Sequence, residues 1–111
     1  MDINELSEGK ATVLALAGRL DSNTCGDLEK HLLGAIDRGT AAVVVDFADL
    51  AYVSSAGLRV LLMAAKRLRA GDGKLALCGL SDNIRDVFKM SGFDKILTIT
   101  GTRAEAVDAV G

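Results

Sequence analysis

The sequence predicts one α/β domain, residues 1–111, built on a mostly parallel sheet. Short apolar segments of strand length recur along the chain, segments with helical spacing separate them, and glycines or capping side chains stand at the boundaries. Strands that alternate with helices form parallel sheets through right-handed crossover connections. With 50% hydrophobic and 25% charged residues, the chain can build one core and is too apolar to be disordered.

The N-terminal part is predicted to hold two strands and a helix. Residues 2–7 form a weak first strand, and residues 11–17, which are apolar on both faces, form a second. With a turn at residues 8–9, the pair makes an antiparallel hairpin at one edge of the sheet. The corner at residues 18–21 ends the second strand. The helix that follows stops at residues 38–39, and its inward side chains are predicted to be Leu28, Leu32, Leu33 and Ile36.

The centre of the chain reads as strand, loop and helix. Residues 41–45 are a continuous run of Ala and Val, which is typical of a strand buried on both faces. A short connection leads from Asp46 to Ser54 and Ser55. The apolar spacing then becomes helical, with a predicted core stripe of Leu58, Leu61, Leu62, Ala65 and Leu68. A helix start offers unpaired N–H groups and a partial positive charge, which stabilise an oxygen or a phosphate.

The C-terminal part adds two strands and two helices. Residues 74–78 are a strand, Ser81 caps a helix that closes at residues 91–92, and residues 97–100 are a last strand. Thr102 and Glu105 form a capping-box pattern that opens a final helix. Phe93 and Ile96 are predicted to face inward. The predicted order is β-β-α-β-α-β-α-β-α with an antiparallel N-terminal edge.

The two serines at the central helix start have a plain structural interpretation. Ser is among the best N-cap residues, so one of them is expected to be a cap. Gly57 is harder to explain, because a glycine in a helix costs about 1 kcal/mol relative to alanine. The close approach of a partner backbone or of a bulky group would account for it.

A longer pattern resembles the signature of the STAS domain family, and more narrowly that of the small bacterial anti-sigma factor antagonists. The matching positions are Asp46, Phe47, Leu50, Tyr52, Val53, residues 54–58 and residues 60–62. The Gly18-Arg19-Leu20-Asp21 corner and the size of the chain extend the resemblance. In that family a partner kinase phosphorylates a Ser or Thr at this helix start. The resemblance implies Ser55 as the acceptor and Ser54 as the alternative, since Ser54 stands where the family often carries Asp.

The resemblance also implies a partner-switching protein rather than an enzyme. The expected partners are an ATP-dependent anti-sigma factor serine kinase and a metal-dependent serine phosphatase. The domain itself would bind no cofactor and would be a monomer. The controlled target is either a sigma factor or a non-sigma process such as secretion. The alternative is a STAS-like structural or ligand-binding module that is never phosphorylated, with both serines as caps.

The sequence also predicts a surface around Ser55. The carboxyl ends of neighbouring parallel strands lie at one edge of a sheet, so Asp21 and Ser55 are expected to be near neighbours. Asp21 is either a turn residue or a residue that faces the acceptor, and the resemblance implies a role in phosphorylation and kinase binding, with Ser54 and Gly57 supporting the site. Along the helix an exposed stripe at i, i+4, i+8 and i+11 is predicted to bind the partner: Ser55, Arg59, Met63 and Lys66. The alternative for Arg59 and Lys66 is a plain solvated helix face.

The chain lacks the residues that enzymes and receiver domains of similar fold require. A serine hydrolase needs a base, and the single histidine, His31, lies within the first predicted helix, away from the strand ends. Tyr52 stands at the first glycine position of G-x-S-x-G. The second strand is not followed by the acidic pair of a Mg²⁺-binding receiver domain, and no G-x-x-x-x-G-K loop is present.

Charge and cysteine content limit the compartment and the partners. A net charge of -2 does not indicate the basic surface that is typical of nucleic-acid-binding proteins. The longest apolar run is far too short for a membrane span, and the N-terminus does not resemble a secretory signal. Cys25 and Cys78 are isolated and are predicted to be buried, reduced thiols. We therefore expect a cytoplasmic protein without nucleic-acid or membrane partners.

Overall fold

The computed structural model describes residues 1–111 and confirms the predicted order of elements. The strands are β1 (Asp2–Glu8), β2 (Ala11–Leu20), β3 (Ala42–Val53), β4 (Lys74–Cys78) and β5 (Thr98–Thr100). The helices are α1 (Cys25–Asp37), α2 (Ser55–Ala70), α3 (Asp82–Ser91) and α4 (Arg103–Val110), with a 3₁₀ turn at Phe93–Lys95. No helix combines the length and the hydropathy that a membrane span requires.

The five strands form one sheet in the order β1-β2-β3-β4-β5. β1 is antiparallel to β2 and every other pair is parallel, as predicted. Side chains alternate between the two faces of each strand. Val43, Val45 and Phe47 face the larger core with α1, α2 and α3, whereas Ala42 and Val44 face a smaller core with α4. Three helices therefore cover one face of the sheet and one short helix covers part of the other.

Two strands are longer than the sequence predicts. β2 continues through the 18–21 corner to Leu20, and β3 continues to Val53, so no separate loop connects Asp46 to Ser54. The extended ends pair with each other, with Leu20 opposite Val53 after irregularities in the register. The end of β3 buries only Leu50 and Val53, each preceded by two exposed residues, and this mixture resembles a loop when only the sequence is considered.

Some side chains lie elsewhere than predicted. In α2, Val60 and Ala64 are buried instead of Leu62 and Ala65. Residues 60–65 are all apolar, so the sequence pattern does not specify which of them face inward. Ile96 is 48% exposed, and the neighbouring Leu97 fills the core. Three further side chains that were predicted to be buried are only half-buried, namely Leu33, Ile36 and Cys25.

A buried ion pair fastens α4 to the sheet. Asp46 is the only buried charged residue, at 7% exposure. Its Oδ1 accepts a hydrogen bond from the Ala48 N–H at 2.9 Å, and its Oδ2 accepts one from Arg103 Nε at 2.9 Å. Arg103 also donates to Glu8 Oε1 at 3.3 Å. Burial, followed by the charge of Asp46, raises the pKa of Cys78 to about 12, so this thiol stays protonated and unreactive at neutral pH.

Candidate functional site

Ser54 is the N-cap of α2. Its backbone is extended, and its hydroxyl accepts a hydrogen bond from the Gly57 N–H at 3.4 Å. Its own N–H donates to the Leu20 carbonyl at 2.9 Å, which joins the helix start to the end of β2. The side chain is half-buried. The predicted capping role therefore belongs to Ser54.

Ser55 is the first residue of α2 and is exposed. Its hydroxyl makes no hydrogen bond within the chain, in contrast to that of Ser54. The first turn of α2 contains no acidic residue, so no carboxylate offsets the partial positive charge of the helix start. Ser55 therefore presents a free hydroxyl at a position that tolerates a negative group.

Gly57 is explained by the chain's own packing. A Cβ atom at this position would lie 2.6 Å from Leu20 Cγ, 2.8 Å from Leu20 Cδ2 and 3.3 Å from Val53 Cγ2. Leu20 is completely buried and cannot move aside freely. A partner that approaches closely is thus not needed to account for this glycine. Its role is to let the first turn of α2 rest directly on the ends of β2 and β3.

The Gly57→Ala variant is expected to be less stable by about 1–3 kcal/mol, the usual cost of overpacking a core. Alanine is the better helix former, so helix propensity alone predicts the opposite sign. Gly26→Ala in α1 is the matched control, because a Cβ there would meet nothing within 4 Å. Urea unfolding of both variants measures the difference. Equal stabilities would show that Leu20 yields without cost.

Asp21 directly follows Leu20, which pairs with Val53 and whose carbonyl accepts the hydrogen bond of the Ser54 N–H. Its Oδ1 accepts hydrogen bonds from the Asn23 N–H at 2.9 Å and from the Thr24 N–H at 3.2 Å. The N-cap of α1, Thr24, makes no capping bond with its own side chain. Asp21 therefore organises the turn before α1, and its contact with a kinase stays a prediction.

The predicted stripe on α2 is exposed at three of its four positions. Ser55, Arg59 and Lys66 are exposed, and neither cation forms an ion pair. The prediction that Met63 is exposed is wrong, because Met63 is half-buried and packs against the larger core. Met63 is half-buried because the inward face of α2 includes Val60 and Ala64 and not the predicted Leu62 and Ala65. Arg59 and Lys66 remain available to a partner, and Met63 offers only part of its side chain.

A pair of exposed side chains next to the site was not predicted from the sequence. Arg19 and Tyr52 are opposite each other at the ends of β2 and β3. The Arg19 guanidinium carbon lies 4.3 Å from the centre of the Tyr52 ring, which is cation–π geometry. Each residue immediately precedes a buried one, Leu20 or Val53. Strand alternation could have indicated that both side chains are exposed if the longer strands had been recognised, but not that they are opposite each other.

The site contains neither a small-molecule cavity nor a metal centre. Ser54, Ser55 and Asp21 line none of the four surface cavities. No group of three or more His, Cys, Asp and Glu side chains could hold a metal ion. His31 lies at the surface of α1, with its Nδ1 3.5 Å from Glu5 Oε1 on β1. The arrangement is therefore an exposed surface around one free hydroxyl.

Comparison with known proteins identifies similar chains. Residues 3–99 match the family model described as Mlab, STAS domain. BtrV of Bordetella bronchiseptica, which is named as an anti-sigma factor antagonist, is 41% identical over 97 residues, covering 87% of this chain and 84% of that protein. The anti-sigma-B factor antagonist of Staphylococcus aureus is 27% identical over 106 residues, covering 95% of this chain and 98% of that protein.

Solved structures match the fold. The anti-sigma factor antagonist SpoIIAA in its unphosphorylated form has a TM-score of 0.76 at 22% identity, over 97% of this chain and 96% of that chain. The phosphorylated form of SpoIIAA from Bacillus has a TM-score of 0.75 at 24% identity, over 97% and 98%. At these identities the likeness concerns the fold alone.

Proposed function

The chain belongs to the STAS domain family and, within it, to the anti-sigma factor antagonists, and on that basis we propose that it is a partner switch controlled by phosphorylation of Ser55. In its unmodified form it binds an anti-sigma factor that is also an ATP-dependent serine kinase, and thereby frees the kinase's target. Phosphorylation abolishes this binding. A metal-dependent serine phosphatase restores it.

The division of roles between the two serines carries this proposal. The Ser54 hydroxyl accepts the capping hydrogen bond and its side chain is half-buried. Ser55, the next residue, is exposed and its hydroxyl makes no hydrogen bond within the chain. A kinase must reach a free hydroxyl, and Ser55 offers one without loss of the cap. Gly57 and Asp21 support the site by fixing the helix start and the neighbouring turn.

A phosphate on Ser55 would be compatible with the fold. Phosphorylation adds a charge of about -1.5 to -2 and three acceptor oxygens. At the start of α2 this charge meets the positive end of the helix dipole. The unphosphorylated and phosphorylated forms of SpoIIAA match this chain with TM-scores of 0.76 and 0.75, which supports accommodation of a phosphate without a change of fold. The partner surface, shaped for a hydroxyl, would reject the phosphate by desolvation and charge repulsion.

The other expected properties belong to the same proposal. The ATP and the metal ion are used by the kinase and the phosphatase, and this domain binds no cofactor and catalyses no reaction. It works as a cytoplasmic monomer without contact to nucleic acid or membrane. Arg59, Lys66 and the exposed part of Met63 extend the partner surface along α2 from Ser55.

Phosphorylation with a purified anti-sigma factor serine kinase and ATP tests the proposal, with intact-mass and fragment mass spectrometry as the readout. Ser55→Ala and Ser54→Asn run beside the parent, because Asn removes the hydroxyl and still caps the helix. We expect one phosphate on Ser55, lost only in Ser55→Ala. A phosphate on Ser54 would move the acceptor by one residue. No phosphate, from a kinase active on another substrate, would overturn the switch in favour of a module that is never phosphorylated.

A further inference from the structure

One half of the sheet face opposite α1 and α2 has no helix over it. α4 packs on the part of this face that contains Ala11, Val13 and Val44. Towards the carboxyl ends of β2 and β3, Arg19 and Tyr52 are exposed, whereas Leu20 and Val53, the residues that follow them, belong to the larger core on the other face. Tyr52 is 40% exposed and is one of three large hydrophobic side chains of the chain that are exposed. The open half of the face therefore ends in an aromatic side chain and a cation.

The Arg19–Tyr52 pair is held in place before any partner arrives. Leu20 and Val53, the next residues on the two strands, are buried at 0% and 3% exposure and fix the backbone beneath the pair. The stacked guanidinium forms no ion pair with a carboxylate of this chain, so its N–H donors remain available. A rigid ring beside an open guanidinium loses little conformational entropy on binding.

The Arg19–Tyr52 pair lies close enough to Ser55 for a protein bound at Ser55 to contact it. Tyr52 is three positions before Ser55 in the chain, so their Cα atoms are at most about 11 Å apart. A protein–protein interface of ordinary size buries about 800 Å² on each partner, a patch roughly 30 Å across. The Ser54 N–H bond to the Leu20 carbonyl places the end of β2 at the same edge. A partner centred on Ser55 thus covers Tyr52 and Arg19 as well.

We propose that Arg19 and Tyr52 form a second contact area for the anti-sigma factor serine kinase, continuous with Ser55; this inference rests on the proposed function. Tyr52 packs against an apolar side chain of the kinase, and Arg19 binds a carboxylate of the kinase through its planar fork of donors. Tyr and Arg are among the residue types that contribute most to protein interfaces. The kinase therefore contacts the open sheet face in addition to α2.

Isothermal titration of the unphosphorylated chain with the purified kinase tests this inference. Tyr52→Thr keeps a β-branched strand residue, and Arg19→Gln keeps a polar one, so both variants should melt close to the parent. Each is expected to bind at least 10-fold more weakly. Met90→Ala is the matched control, because Met90 is 88% exposed on α3 and lies outside the proposed surface. It is expected to bind like the parent.

The outcomes separate this inference from the function on which it rests. One outcome is that the parent binds the kinase, Ser55→Glu does not, and Tyr52→Thr and Arg19→Gln bind like Met90→Ala. This outcome would refute the second contact area and would leave the proposed phosphorylation switch supported. If the parent itself does not bind an active kinase, the proposed function fails and the contact area fails with it. If the sheet variants bind weakly but also melt far below the parent, the pair is a structural element and the inference is wrong.

Discussion

A chain with phosphoserine at position 55 is expected to bind the anti-sigma factor serine kinase more than 100-fold more weakly than the unmodified chain. A loss of about 3 kcal/mol corresponds to this factor. The loss follows because the phosphate must be desolvated against a surface shaped for a small hydroxyl. The helix start that tolerates the phosphate in the free protein gives no compensation in the complex, since its dipole acts in both states.

The comparison needs a control that carries the same charge elsewhere. Ser7 is exposed on β1 and pairs with Thr12, at the end of the sheet opposite Ser55. Phosphoserine encoded at position 7 or at position 55 gives two proteins of equal net charge, and titration with the kinase yields their dissociation constants. The position 7 protein is expected to bind like the parent, as is Ser55→Ala. Equal weakening at both positions would attribute the effect to net charge and contradict a local switch.

The Arg103→Gln variant is expected to lose about 3 kcal/mol of unfolding free energy, the lower end of the 3–5 kcal/mol found when one partner of a buried ion pair is removed. Asp46 would keep its charge at 7% exposure, with a hydrogen bond from the Ala48 N–H but without its cation. The lower end applies because the Arg103 side chain is 33% exposed and water can reach the site. Loosening of α4 would also expose the smaller core.

Denaturant unfolding with two comparisons tests this prediction. Arg38→Gln removes a surface pair with Glu5, whose nitrogen–oxygen distance is also 2.9 Å, but the Arg38 side chain is 55% exposed. Its expected cost is below about 1 kcal/mol. Arg103→Gln should cost less in an Asp46→Asn background, where no charge is left unpaired. The prediction is wrong if Arg103→Gln costs no more than Arg38→Gln.

The helix starts show which features could be predicted from the sequence. Ser81 and Thr102 are predicted to cap their helices, and one of Ser54 and Ser55 to cap α2. In the structure Ser81, Thr102 and Ser54 each accept a hydrogen bond from the backbone N–H three residues ahead. The order of the elements along the chain and the strand directions were also predicted correctly, because helices between strands enforce parallel crossovers. The phosphoacceptor stays a prediction, although the assignment of the cap to Ser54 favours Ser55.

The wrong predictions concern contacts between distant parts of the chain. The exposure of Met63 and the burial of Ile96 were judged from apolar character, which does not say which side of a helix or turn meets the core. The strand ends at Leu20 and Val53 were missed because their pairing is with each other. The Arg19–Tyr52 stack was missed for the same reason.

The α/β class, the order of the elements, the caps of α3 and α4 and the family could be predicted from the sequence, because these depend on residues at most a few positions apart or on a contiguous motif. The folded structure was needed to show why Gly57 is a glycine, which serine is free, and that Asp46 is bonded to Arg103, 57 residues further along. Packing and charge pairing depend on distance in space rather than on distance along the chain. Folding brings Leu20 beside Gly57 and Arg19 beside Tyr52, and no local pattern records that proximity.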